Sequence, residues 1–194
     1  MTHLKRSLAC NSATLSLIIS DLKRYTSFVY PKASQSSFFP LVKALVHPRL
    51  LPVLIYRISH LFYRYNFRPI SWAFSFINQV VYGIEIAPAC KIGPGLFIPH
   101  TYGTVIGAFS IGANATVFQG ATLGSKYLAF DFDNSSRPIL GDNVTIGSGA
   151  KVLGGISIGS NSTVGANSVV LTDVPIQCLV TGIPAMIKSS AAAK

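Results

Sequence analysis

The chain has 194 residues, of which 49% are hydrophobic and only 11% charged. That balance excludes a solvated disordered polymer and leaves length for a real core. Sixteen Lys and Arg against six Asp and Glu give a formal net charge of +10, and the three cysteines (Cys10, Cys90, Cys178) are odd in number, far apart and without a CxxC pair. Neither a disulfide framework nor a zinc knuckle is expected, and a reducing compartment is the simplest setting.

At the N-terminus Lys5 and Arg6 precede a weakly apolar run, 8–20, that Asn, Ser and Thr interrupt, with no small-residue cleavage site after it. It does not read as a signal peptide. The longest charge-free apolar stretch near the middle, 69–84, has 16 residues, and 50–63 is broken by Pro52 and Arg57. A spanning helix needs about 18–20. The expectation is a cytoplasmic protein, or one peripheral at the inner face of a membrane.

Composition divides the chain. All 16 glycines lie at or beyond Gly83, and residues 1–80 hold ten Lys/Arg against one acid, Asp21. Residues 1–82 are read as a helical region: Leu41, Leu45, Leu54, Tyr56, Ile58, Leu61 and Phe62 recur at helical spacing, and Pro40, Pro48, Pro52 and Pro69 cut the region into several short helices. Its cations form an ordinary solvated face, or meet an acidic partner or an anionic membrane. Nucleic acid is not an expected partner, since the charges are scattered and no docking motif appears.

Residues 83–188 carry a repeat of six. Aliphatic anchors run Ile86, Ile92, Ile98, then Val105, Ile111, Val117, Leu123, then Leu140, Ile146, Val152, Ile158, Val164 and Val170, often with glycine following. Alternation over three residues and then a tight corner describes short strands and turns, the signature of a parallel β-helix. About five coils at ~4.8 Å make a mainly β prism roughly 24 Å tall. Residues 189–194 read as a tail.

Two breaks in phase point to function. Ile98 to Val105 is a step of seven, across Pro99, His100, Thr101, Tyr102 and Gly103; Leu123 to Leu140 is a step of seventeen, which extrudes a loop, 125–137. His100 is the one histidine of the second half, and Glu85, the one glutamate of the chain, lies fifteen residues earlier, just under one eighteen-residue turn. A carboxylate that fixes an imidazole's tautomer makes a general base, so His100 and Glu85 are the catalytic candidates. A packing histidine and a solvent-facing strand residue are the bland alternatives. No ligand spacing for a metal is visible.

The runs GIEIAPACKIGPGLFIPHTYGTVIG, IGSGAKVLGGISIGSNSTVGANSVVLTDVP and TGIPA, with VHPRLLPVLIYRISHLFYRYN before them, resemble the serine acetyltransferase family of hexapeptide-repeat acyltransferases over roughly residues 40–187. The resemblance implies a left-handed β-helix, a homotrimer with sites between subunits (paired into hexamers through the helical region in one arrangement), and acetyl-CoA as donor to a hydroxyl. It implies that His100 takes the acceptor's proton, that Glu85 orients the ring, and that the pantetheine arm runs past Gly147, Ser148, Gly149, Ala150, Gly165 and Ala166. This sequence departs from the family pattern at Glu85 and Pro99, where Asp is usual, at Ser136 and Arg137, where Arg-His is usual, and at Met186, where a cation is usual. These departures favour a sugar or polysaccharide precursor as acceptor, with Arg137 and Tyr102 contacting it. Serine O-acetylation for cysteine synthesis is the alternative, and a non-catalytic β-helix scaffold is the second.

Overall fold

The computed structural model describes residues 2–31, 47–128 and 132–190. Three helices come first: α1 (Thr2–Val29), α2 (Leu51–Arg64) and α3 (Arg68–Tyr82). Pro52 and Pro69 sit in the first turns of α2 and α3. There the missing N–H has no intrahelical partner to lose, so these prolines start helices instead of interrupting them. α1 runs 28 residues, longer than the short pieces expected. Pro40, Leu41, Leu45 and residues 191–194 of the tail lie outside the described residues; Ser189 and Ser190 belong to the last strand.

Buried Ser59 and Ser71 exchange hydroxyl-to-carbonyl hydrogen bonds at 2.8 Å each, and Asn78 Nδ2 donates to Pro52 O at 2.9 Å. These pairings run in opposite directions along α2 and α3, so the two helices form an antiparallel hairpin. α3 stops at Gly83, whose φ of 61° is the left-handed cap conformation that glycine adopts without a Cβ penalty. No helix among the described residues is long and apolar enough to cross a membrane.

From Ile84 the chain winds as a prism with three sheet faces. The first face stacks β1 (Ile84–Ile86), β3 (Thr104–Ile106), β6 (Thr122–Gly124), β9 (Lys151–Leu153) and β12 (Val169–Val170), all parallel. The second stacks β2 (Lys91–Ile92), β4 (Ser110–Ile111), β7 (Ile139–Leu140) and β10 (Ser157–Ile158). The third stacks β5 (Thr116–Val117), β8 (Thr145–Ile146), β11 (Thr163–Val164) and β13 (Cys178–Gly182), closed by the antiparallel β14 (Ala185–Ser190). The core column of the first face is Ile86, Ile106, Leu123, Val152 and Val170, all essentially without exposure.

That register corrects one anchor. Ile106, not Val105, faces inward: Ile86 pairs with Ile106 and Ile106 with Leu123, and Val105 stands outside opposite Glu85. The break after Ile98 is therefore a step of eight, two residues more than the repeat, and the following step to Ile111 is five.

The helices are fastened to the first coil by a buried ion pair. Arg57 Nε donates to Asp21 Oδ2 at 2.8 Å and Nη2 to Oδ1 at 3.1 Å, with both side chains excluded from solvent. Arg57 also donates to the carbonyls of Ile92 and Gly93, at 2.5 and 2.6 Å, and Asp21 Oδ1 accepts the Leu96 N–H at 2.9 Å. Tyr56 OH donates to Cys90 O at 2.6 Å beside it. Removing one partner strands a buried charge, so Asp21→Asn is expected to lower stability by about 3–5 kcal/mol. Chemical denaturation of the variant beside wild type measures it; a loss under about 1 kcal/mol contradicts the assignment.

His60 adds a pH dependence. Its ring Nδ1 lies 2.8 Å from Pro88 O, and burial holds its pKa below the ordinary 6.5, with the Pro88 bond opposing. The unfolded chain then binds more protons than the folded one as pH falls through about 6.5, so stability is full above that pH and declines below it. The denaturation midpoint is expected to fall between pH 7 and 5.5, and His60→Gln to flatten that segment; an equal slope in the variant contradicts the assignment.

Candidate functional site

Each coil turns from the third face to the first through a residue with positive φ: Gly103, Gly120 and Gly149 at 71°, then Asn167 at 56°. Backbone bonds stack these corners: Gly120 N–H to Tyr102 O at 3.0 Å, Gly149 N–H to Gln119 O at 2.9 Å, Asn167 N–H to Ser148 O at 2.8 Å. One continuous edge thus carries the His100 segment, Gln119, Ser148–Gly149 and Ala166–Asn167. The candidate base and three of the six candidate donor residues (Ser148, Gly149 and Ala166), far apart in sequence, share it.

The two extra residues of the first coil lie on this edge between Ile98 and Gly103, and they push His100 outward. Thr101 Oγ1 donates to Tyr82 O at 2.8 Å and Gly103 N–H to Gly83 O at 2.9 Å, which ties the bulge to the end of α3. His100 is exposed, with no hydrogen-bond partner for its ring among the described residues. It opens on a cleft of about 290 Å³ between Val81 and Tyr82 of α3 and the Pro48–Arg49 turn before α2, flanked by Thr101 and Tyr102. This lies at the small end of the range for small-molecule sites, ~300–1,000 Å³. Glu85 is also exposed, two residues beyond Gly83 on the neighbouring strand. The structure brings the two candidates to the same end of the prism but forms no hydrogen bond between them.

The donor candidates divide. Ser148 and Ala166 are at least partly open at the edge, whereas Ala150 is wholly buried and points into the core. At Gly147 a Cβ would meet Ala166 N at 2.6 Å and Gly165 C at 2.8 Å, so its smallness serves coil stacking. Gly165 is held small in the same way by Thr181 Cγ2 at 2.6 Å. Arg137 is on the edge between the first and second faces, where Nη1 donates to Gly107 O at 3.0 Å and the guanidinium lies 4.5 Å over the Phe132 ring. Within one chain it is not beside His100. Tyr102 is on the His100 edge, 82% exposed, with its ring against Gly83.

Two residues of this region escaped the sequence reading. Arg49 lines the cleft, and its only outward sign was its place in a turn before a helix. Gln119 stands one coil from His100 with its buried Oε1 lacking a hydrogen-bond partner; an unpaired buried acceptor is exceptional, and nothing in the repeat pattern marks it. Among the described residues no three His, Cys, Asp or Glu gather as a metal site.

Residues 137–172 match the family model "Bacterial transferase hexapeptide (six repeats)". A serine acetyltransferase of Helicobacter pylori is 41% identical over 142 residues, 73% of this chain and 81% of the relative. The Neisseria gonorrhoeae serine acetyltransferase in complex with serine superposes with a TM-score of 0.78 at 29% identity, over 95% of this chain and 72% of that one. A serine acetyltransferase in complex with CoA gives 0.78 at 27% identity, over 95% and 73%. With these neighbours the prism is a left-handed β-helix, against the usual crossover hand.

These relatives overturn the sugar or polysaccharide acceptor expected from the departures in sequence. The physical reason lies in the residues that carried that expectation. Glu85 keeps the carboxylate of the usual Asp, and the Arg137 guanidinium, read as a sugar-acid or phosphate contact, is occupied by Gly107 O and the Phe132 ring.

The stacking role of Gly147 is testable apart from any ligand. Gly147→Ala is expected to destabilise by about 1–3 kcal/mol, the ordinary range for overpacking, read as a lowered melting temperature without donor present. An unchanged melting temperature contradicts the close approach.

Proposed function

We propose, since this chain belongs to the serine acetyltransferase family, that it transfers the acetyl group of acetyl-CoA to the hydroxyl of L-serine. It is an acyltransferase that uses acetyl-CoA as its donor, which displaces the scaffold reading. The acceptor is our inference, and the observation that carries it is the relationship to serine acetyltransferases over 142 residues, joined to a small cleft at His100.

In this reading His100 is the general base. Its free ring faces the cleft, takes the proton of the serine hydroxyl as that oxygen attacks the thioester carbonyl, and returns it to the departing thiolate. Glu85 approaches the ring once the cleft is filled and stabilises the imidazolium. Backbone N–H groups near the donor stabilise the oxyanion. The pantetheine arm follows the edge past Ser148, Gly149 and Ala166, where small residues leave the backbone accessible, and Tyr102 closes over the acceptor.

A homotrimer built around the prism puts a neighbour's surface beside each edge. The exposed apolar residues of α3 (Trp72, Phe76, Val80) support assembly through the helical region as well. Free Cys90 and Cys178 fit a reducing, cytoplasmic setting.

Thiol release from acetyl-CoA with L-serine is expected from the wild type, and His100→Ala is expected to lose about 10²–10⁴-fold in turnover while keeping the wild-type oligomer. Near-normal turnover in the variant removes His100 as the base; no turnover with L-serine in the wild type removes serine as the acceptor.

A further inference from the structure

The His100 cleft holds one permanently charged side chain, Arg49. The turn that carries it is tied at the backbone: the N–H groups of Leu50 and Leu51 bond His47 O at 3.0 and 3.1 Å, and the Arg49 N–H reaches His47 Nδ1 at 3.2 Å. The side chain is left over. Arg24, Arg57 and Arg137 are committed to carbonyls, hydroxyls or a carboxylate, but among the described residues the exposed Arg49 guanidinium has no hydrogen-bond or ion-pair partner. It lines the cleft between its own turn and the end of α3, together with Val81, Tyr82, His100, Thr101 and Tyr102. It also borders a second cleft of about 720 Å³ along the third face, beside Phe97, Pro99 and Phe118.

We propose that Arg49 binds the carboxylate of the amino-acid acceptor and so holds the acceptor's hydroxyl toward His100. The inference rests on the serine reading above. The planar guanidinium fork matches a carboxylate through two parallel hydrogen bonds, which fixes orientation as well as position. The acceptor's carboxylate is at one end of the cleft and its hydroxyl at the other, beside the base. Because a carboxylate is held equally in the ground state and the transition state, its loss appears in KM more than in kcat. A site built around that bond also rejects acceptors lacking the charge.

The same cation could instead hold a phosphate of the donor, reached through the second cleft, and kinetics separate the two anions. Wild type, Arg49→Ala and Arg49→Lys are compared in thiol release, varying L-serine at fixed high acetyl-CoA, then acetyl-CoA at fixed high L-serine. L-serinamide serves as the acceptor without a carboxylate. Matched melting temperatures confirm that the variants fold. Arg49→Ala is expected to raise KM for L-serine about 10- to 100-fold, the range for a charged hydrogen bond, with kcat within a few-fold and KM for acetyl-CoA unchanged. The wild-type preference for L-serine over L-serinamide should shrink by a similar factor, and Arg49→Lys should fall between. An unchanged KM for L-serine in an otherwise serine-active enzyme overturns the role of Arg49 and leaves the serine reading intact. A rise confined to KM for acetyl-CoA overturns it in favour of the donor's phosphates. No turnover of L-serine by the wild type overturns the serine reading and this inference with it.

Discussion

The Asp21 carboxylate and the Arg57 guanidinium meet at 2.8 Å with neither side chain exposed, and both reach past each other to the backbone of the first coil. Taking two charges out of water is expensive, and a buried pair holds only where further hydrogen bonds satisfy both groups. Here they do: the carbonyls of Ile92 and Gly93 accept two more of the guanidinium's five donors, and the Leu96 N–H donates to the carboxylate. Any shift of α1 or α2 along the prism would leave one of these groups unpaired. The pair therefore fixes the helices to the first coil, and with them the Arg49 turn at the head of α2.

From that junction the cleft follows. α3 runs back antiparallel to α2, ends at Gly83, and feeds its last carbonyls to Thr101 and Gly103 on the bulged corner. The extra residues of the first coil have nowhere to go but outward, toward the space between the end of α3 and the Arg49 turn. At Gly147 and Gly165 the stacked coils leave no room for a Cβ, and the side chains beside them on this edge are as short as Ser148 and Ala166. The irregular corner presents the longer His100 side chain, and the helical cap supplies the second wall of its cleft.

Much of this was legible in the sequence because the repeat is a physical requirement. Inward aliphatic anchors, a small residue after most of them, and Gly or Asn at the corners are what stacked coils demand, and the phase break at His100 showed in the spacing alone. The slip from Ile106 to Val105 came from holding the period at six through a corner where the backbone changes its count; Gly107, following Ile106 as glycine follows the other anchors, was the signal that marked the true register. Asp21 was visible as the lone acid among ten cations of the first 80 residues, but its partner was not, because the pairing joins two helices through the fold. Arg49 reads in the sequence as any surface cation, because the cleft it shares with the end of α3 and His100 exists only in the fold. The acceptor was misread because a few substituted positions, Glu85 and Pro99 among them, were weighed above the relationship of the chain as a whole.

Transfer at His100 requires acceptor and donor to meet on the glycine-lined edge beside it. A crystal structure with CoA and L-serine bound decides whether they do. The expected result is the CoA sulfur and the serine hydroxyl within hydrogen-bond reach of the His100 ring, with the pantetheine along Ser148, Gly149 and Ala166. CoA on either of the other two edges of the prism, or serine bound away from His100, would contradict it.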